Sequence, residues 1–183
     1  MIGWDLITAL VVIATLSVLA YLAGKHLGGG MCNSRPLLFA ESLVLSLVFA
    51  WCMSGGLFWA RTISGSGVVY WSNLMPVLLG FTAGLAVATP GLKRWRRPLT
   101  VTVLVMLAAM HLLLPVARPL MAPAGLVGTG RWSDRVCLQS HEATCGAAAA
   151  ATLLNLRGIP ASEQDMIRRC LTSRHGTEPL GLY

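Results

Sequence analysis

Long apolar runs constrain this chain more than any other feature. No charged residue falls between Leu6 and Ala23, and comparable runs follow at about Leu37–Trp59, Val69–Ala88 and Leu99–Ala117. A helix needs about 20 residues, at a rise of about 1.5 Å each, to cross about 30 Å of hydrocarbon. The run lengths therefore predict four transmembrane helices, over 6–23, 37–59, 69–88 and 99–117. Gly55 and Gly56 weaken the end of the second, Pro76 interrupts the third, and Pro115 and Pro119 close the fourth. A removable signal peptide is the weaker reading of the first run. Asp5 stands where a positive n-region belongs, no small-x-small site follows cleanly, and Gly-Gly-Met before Cys32 is a poor lipidation box.

Composition divides the chain in two. Apolar residues make up 55% of it and charged residues 11%, against about 25% charged in an ordinary soluble domain. Residues 1–121 form the apolar membrane part and 136–183 a mixed segment. Between them, 122–135 reads as a linker, since Pro115 to Gly130 holds three prolines and three glycines. The net charge of +7 does not argue for nucleic acid, because Lys93, Arg94, Arg96 and Arg97 sit between two apolar runs and no aromatic stacking pattern accompanies the later basic residues. Those four residues, with Lys25 and Arg35, share one side of a four-span protein. The positive-inside rule puts that side in the cytoplasm. Both termini then face outward.

Within the spans, Glu41 and His111 are functional candidates, because ionisable groups in a membrane are costly. The plainer reading takes Glu41 to the headgroups and bonds His111 to a neighbouring helix. His26 lies in the expected loop, so a haem between His26 and His111 has little to support it. Gly80, Gly84 and Ala88 make a small-xxx-small face suited to close helix contact, inside one bundle or against a partner.

The mixed segment reads as two short helices and carries no strand signal. The first spans Thr144 to Leu156, with Gly158 placed to end it and Pro160 to block continuation. Ser162 and Asp165 form a capping-box pattern for the second, which runs to about Cys170. The string Gln139-Ser-His-Glu-Ala-Thr-Cys145-Gly146 carries the chemistry. The positive end of a helix favours thiolate over thiol for a cysteine in its first turn. A glutamine six residues upstream can fold back and donate its amide to an oxyanion, and Gly146 lets a substrate approach the backbone.

Gln-x5-Cys-Gly followed by an Ala-rich helix resembles the start of the C39 peptidases, papain-like proteases that cut double-glycine leader peptides. Leu153 to Gly158, the Ser162 helix and His175-Gly-Thr-Glu-Pro-Leu-Gly-Leu182 continue the likeness over about Val136 to Tyr183. The resemblance implies Cys145 as nucleophile, Gln139 as oxyanion donor and a peptide substrate. It implies no metal and no cofactor. The family's catalytic His and Asp lie downstream of the corresponding region, and neither His141 nor His175 matches them. The expectation is thus an all-α chain: four membrane helices followed by the truncated or degenerate opening of a papain-like domain, weakly active or inactive on its own. Its expected place is the bacterial cytoplasmic (inner) membrane, with periplasmic termini. Its partners are the lipid bilayer and a larger membrane protein complex, the latter if the chain is instead a structural or accessory subunit. Two further cysteine readings stay open: a Cys137–Cys170 disulfide, and metal binding by Cys137, His141 and Cys145 on a continuous helix.

Overall fold

The computed structural model describes residues 4–30, 35–63, 67–89, 95–120, 130–177 and 179–182. Cys32, Lys93, Arg94 and residues 122–129 of the expected linker lie outside them. The helices are α1 (Trp4–Gly30), α2 (Arg35–Cys52), α3 (Val68–Trp71), α4 (Met75–Ala88), α5 (Arg96–Leu120), α6 (Cys145–Leu156) and α7 (Glu163–Arg169). One hairpin joins them, β1 (Arg131–Ser133) with β2 (Val136–Leu138). The chain divides into two compact units. One comprises Met1–Gly56 with Tyr70–Leu114, the other Leu57–Val69 with Pro115–Tyr183.

The first unit has an apolar core around Met75, Leu79, Ala83, Ala86 and Leu104, yet many large apolar side chains face outward and several hydroxyls turn in. Val11, Leu47 and Leu113 are each more than half exposed, while Ser42, Ser46, Thr82 and Thr89 are buried. Leu6–Gly29, Val68–Ala88 and Arg96–Leu114 are long and apolar enough to cross a membrane. α2, apolar over Pro36–Cys52, is shorter. Buried hydroxyls have no water to bond, so each returns to a carbonyl of its own helix: Ser46 Oγ to Ser42 O at 2.8 Å and Thr82 Oγ1 to Leu78 O at 2.9 Å. These two hydroxyls also meet each other across α2 and α4 at 3.4 Å.

α1 and α4 touch backbone to backbone along a glycine seam. A Cβ built on Gly80 would lie 2.6 Å from Ser17 O, and one on Gly84 would lie 2.8 Å from Lys25 N and strike Tyr21 O. From the other side, a Cβ on Gly24 would strike Phe81 O and one on Gly28 the Ala88 side chain. The small-residue face seen in the sequence is therefore used, and by α1 of the same chain. Contacts that climb together (Ser17 with Gly80, Gly28 with Ala88) make α1 and α4 parallel. α5 runs the other way. Asn73 reaches His111, and Arg97 Nη2 donates to Thr89 O at 3.0 Å.

The boundaries differ from expectation in five places. α1 continues past Ala23 to Gly30, so Lys25 and His26 are helical rather than in a loop. α2 stops at Cys52, short of Trp59, and Gly55 takes a left-handed φ of 71° just beyond it. The break in the third span falls at Ser72–Leu74, and Pro76 lies in the first turn of α4, where its missing N–H costs nothing. α5 begins at Arg96, ahead of Leu99.

The fifth difference is at Pro115, which does not close α5; the helix runs on to Leu120. Proline leaves the carbonyl four residues back without its helical donor. That carbonyl is His111 O, and Asn73 Nδ2 donates to it at 2.7 Å. The His111 ring bonds within its own helix, Nδ1 to Leu107 O at 2.9 Å. The His111 backbone thus bonds to Asn73 in the break before α4, its ring makes no bond to a neighbouring helix among the described residues, and Glu41 is exposed on α2.

Candidate thiol site at the start of helix α6

The second unit is not purely helical. β1 and β2 pair antiparallel, with Trp132 opposite Cys137. Their two-residue turn, Asp134–Arg135, has both φ values positive, at 46° and 74°, as a tight hairpin requires. Asp-Arg is a poor match to the Asn-Gly or Asp-Gly signature of such turns, which is why the hairpin has no strong local signal. Cys137 is buried, and its N–H donates to Thr152 Oγ1 of α6 at 2.9 Å, which fastens the hairpin to the helix.

Two helices complete the core. α6 packs Ala147, Ala148 and Ala151 against Met166, Ile167 and Cys170, its small side chains allowing close approach to α7. Gly158, with φ 76°, ends the first helix turn of the connection, and Asn155 Nδ2 ties the connection down by donating to Ala151 O and Ala161 O at 2.9 and 2.7 Å. Ser162 caps α7, its Oγ accepting from Asp165 N at 3.1 Å and donating to Asp165 Oδ2 at 2.6 Å. That hydroxyl is the main reason the Asp165 carboxyl is held below its ordinary range. Both helices thus fall where the sequence placed them.

Cys145 is the first residue of α6 and is exposed. The approach to it is a short 3-10 turn, Glu142–Thr144, capped by His141. His141 Nδ1 accepts from Ala143 N at 3.2 Å, and Thr144 Oγ1 donates to His141 O at 2.8 Å. Gln139 is exposed between β2 and this turn, and among the described residues no hydrogen bond joins it to Cys145. Both histidines are engaged locally: His141 in the cap, His175 accepting at Nε2 from Arg174 Nε at 3.1 Å. No His, Asp or Glu side chain bonds to Cys145 among the described residues.

Gly146 proves to serve packing. A Cβ there would lie 2.9 Å from both Cβ and Oγ1 of Thr177, so the space beside it is filled by the chain itself and is not open to a substrate. Thr177 is held in turn by Thr172, the two hydroxyls 2.9 Å apart. Gly146→Ala is expected to lower the stability of this unit by about 1 kcal/mol, the low end for overpacking, because a threonine on a loop can shift. A denaturant titration with and without Thr177→Gly checks this: that change removes both clashing atoms, so Gly146→Ala should cost clearly less in its background.

The other two thiols of this unit, Cys137 and Cys170, are buried. Burial pushes the Cys137 thiol up, and the Glu163 charge adds to this, against a backbone hydrogen bond from Glu163 that acts the other way. Burial also raises Cys170, partly offset by Arg169. Both are therefore held as thiols at neutral pH, the less reactive form. Both are free, so the Cys137–Cys170 disulfide is not formed here, although the two share one core cluster. Among the described residues no three His, Cys, Asp or Glu side chains gather as a metal site. Cys137, His141 and Cys145 lie on a strand, a cap and a helix, not along one helix. Sequence reasoning missed Glu163, which is fully buried and accepts at Oε1 from Ser140 N at 2.8 Å and Ser140 Oγ at 3.0 Å. Its place inside the α7 capping sequence disguised it, and its partner is 23 residues away.

Set against known proteins, the chain matches no family model, no curated protein and no solved structure.

Proposed function

We propose that this is a multi-pass protein of the bacterial cytoplasmic membrane that presents Cys145 as the nucleophile of a C39-like cysteine peptidase site, with Gln139 as oxyanion donor. The observation that carries the reading is the position of Cys145: exposed, at the first residue of a helix whose entry is fixed by a capped turn. A thiol attacking a peptide carbonyl also needs a general base. With none bonded to Cys145 among the described residues, these residues on their own should turn over peptides weakly or not at all.

Four spans are favoured over three by direction. α1 and α4 are parallel, so if both cross the bilayer the chain must return between them, and α2 is the apolar helix available. Lys25, Arg35, Arg96 and Arg97 then share the cytoplasmic side, and the unit bearing Cys145 lies on the periplasmic side. The alternative, a structural subunit of a larger complex, gains nothing from the Gly80–Gly84 face, since α1 occupies it.

Thiol labelling tests both parts in a chain with Cys32 and Cys52 replaced by serine. Cys145 is expected to react with iodoacetamide near neutral pH faster than free cysteine does, while Cys137 and Cys170 react only on unfolding. A membrane-impermeant maleimide should reach Cys145 from the outside of intact cells. A Cys145 rate no greater than that of free cysteine would sink the nucleophile assignment, and labelling only after lysis would reverse the topology.

A further inference from the structure

We infer that Glu163 is a positioning residue for this thiol site: its buried carboxylate holds the Gln139–Ser140–His141 loop to the start of α7 and so fixes the backbone from which Gln139 acts. The inference rests on the peptidase reading above.

Glu163 opens α7 and has no exposed surface. Glutamate is almost never fully buried without a partner. No Lys or Arg pairs with it among the described residues, and among them its Oε2 accepts no hydrogen bond. Burial alone would favour an apolar side chain here, since a carboxylate withdrawn from water with one oxygen unsatisfied is destabilising. What distinguishes glutamate is Oε1, which accepts both the backbone N–H and the hydroxyl of Ser140. Two bonds to one residue fix its backbone and its rotamer together.

The next residue is fastened as well. The N–H, carbonyl and Nδ1 of His141 are all used in the turn that enters α6. The loop is thus pinned to α7 at Ser140 and, at His141, to the Glu142–Thr144 turn that leads into α6. Gln139, immediately before, is left exposed on a fixed backbone. An oxyanion donor stabilises developing charge to the extent that it is held in place beforehand, and Glu163 supplies that hold without touching the reacting atoms.

The test uses the full chain in detergent, with Cys32 and Cys52 as serine, and two probes of Cys145. In a peptide aldehyde ending in glycinal, the sulfur adds to the carbonyl carbon, the π pair moves to oxygen and the thiol proton ends on that oxygen. This adduct draws on an oxyanion donor. Iodoacetamide alkylation, in which sulfur displaces iodide and the proton leaves to solvent, does not.

Gln139→Ala and Glu163→Ala are each expected to weaken aldehyde binding about tenfold, less than the loss of a donor in a fully assembled enzyme. The double variant should be no weaker than either single one. Glu163→Gln keeps the acceptor and should stay within about threefold of wild type, and Ser140→Ala, which removes one of the two bonds, should fall between. Iodoacetamide rates should not change, and Cys137 and Cys170 should remain protected. Aldehyde affinity at the wild-type level in Glu163→Ala, while Gln139→Ala weakens it, overturns the inference. So does a loss that comes only with exposure of Cys137 and Cys170; if Glu163→Ala unfolds, Ser140→Ala decides by the same criteria. Failure of the wild-type chain to bind the aldehyde overturns the peptidase reading itself.

Discussion

Gly84→Leu is expected to prevent the membrane unit from folding. Overpacking usually costs about 1–3 kcal/mol because neighbours can move, but the neighbours here are the Tyr21 carbonyl and the Lys25 N–H of a helix backbone. Relief requires α1 and α4 to separate along the whole seam, so the loss should reach the top of that range or exceed it. Against a total stability of about 5–15 kcal/mol for an ordinary protein, that is a large fraction. Gly29→Ala provides the contrast. Among the described residues no atom lies within 4 Å of a Cβ at Gly29, and replacing a helical glycine by alanine where it fits contributes about 0.5–1 kcal/mol of stability. Thermal unfolding in detergent should separate the pair clearly, with Gly84→Leu recovered mainly as aggregate. If the two variants melt alike, α1 and α4 do not meet along this seam.

Asn73→Ala is expected to cost about 1–2 kcal/mol, at the upper end for interhelical hydrogen bonds in membranes. The reason is that His111 O has no second donor among the described residues: Pro115 lacks the N–H that would serve it. Pro115→Ala supplies that N–H. In a Pro115→Ala background, removing Asn73 should therefore cost clearly less, leaving a coupling of about 1 kcal/mol in a double-mutant cycle. Equal costs in both backgrounds would show that Asn73 and the proline act independently. The same cycle predicts that Asn73→Asp, which has no side-chain N–H to donate when ionised, should be no better than alanine.

This pair also explains what could be read in the sequence. The presence of the membrane helices was legible because hydropathy accumulates over about 20 residues, so no single position decides it. Their ends were not. Pro115 looked like a stop because the donor that repairs the backbone, Asn73, lies 38 residues before the carbonyl it serves, that of His111. The start of α6, the cap at Ser162 and the glycine after Leu156 were visible because each acts within a few residues. The hairpin was hidden by Asp134–Arg135, which reach positive φ without a glycine. Around Cys145 the local frame was readable, but Gly146 was assigned to substrate access because Thr177, which fills its place, is brought there only by folding. The Glu163–Ser140 bonds escaped for the same reason.

The second unit is assembled from two stretches of chain, Leu57–Val69 and Pro115–Tyr183, and in it the turn at Leu57–Arg61 meets the one at Pro179–Leu182. Everything from Tyr70 to Leu114, which includes α4 and most of α5, is made between them. Synthesised from the N-terminus, the chain cannot close this unit until those helices have emerged and the second stretch has reached the first. The Leu57–Arg61 turn is therefore made long before Pro179–Leu182 and waits for that contact while α4 and α5 are synthesised.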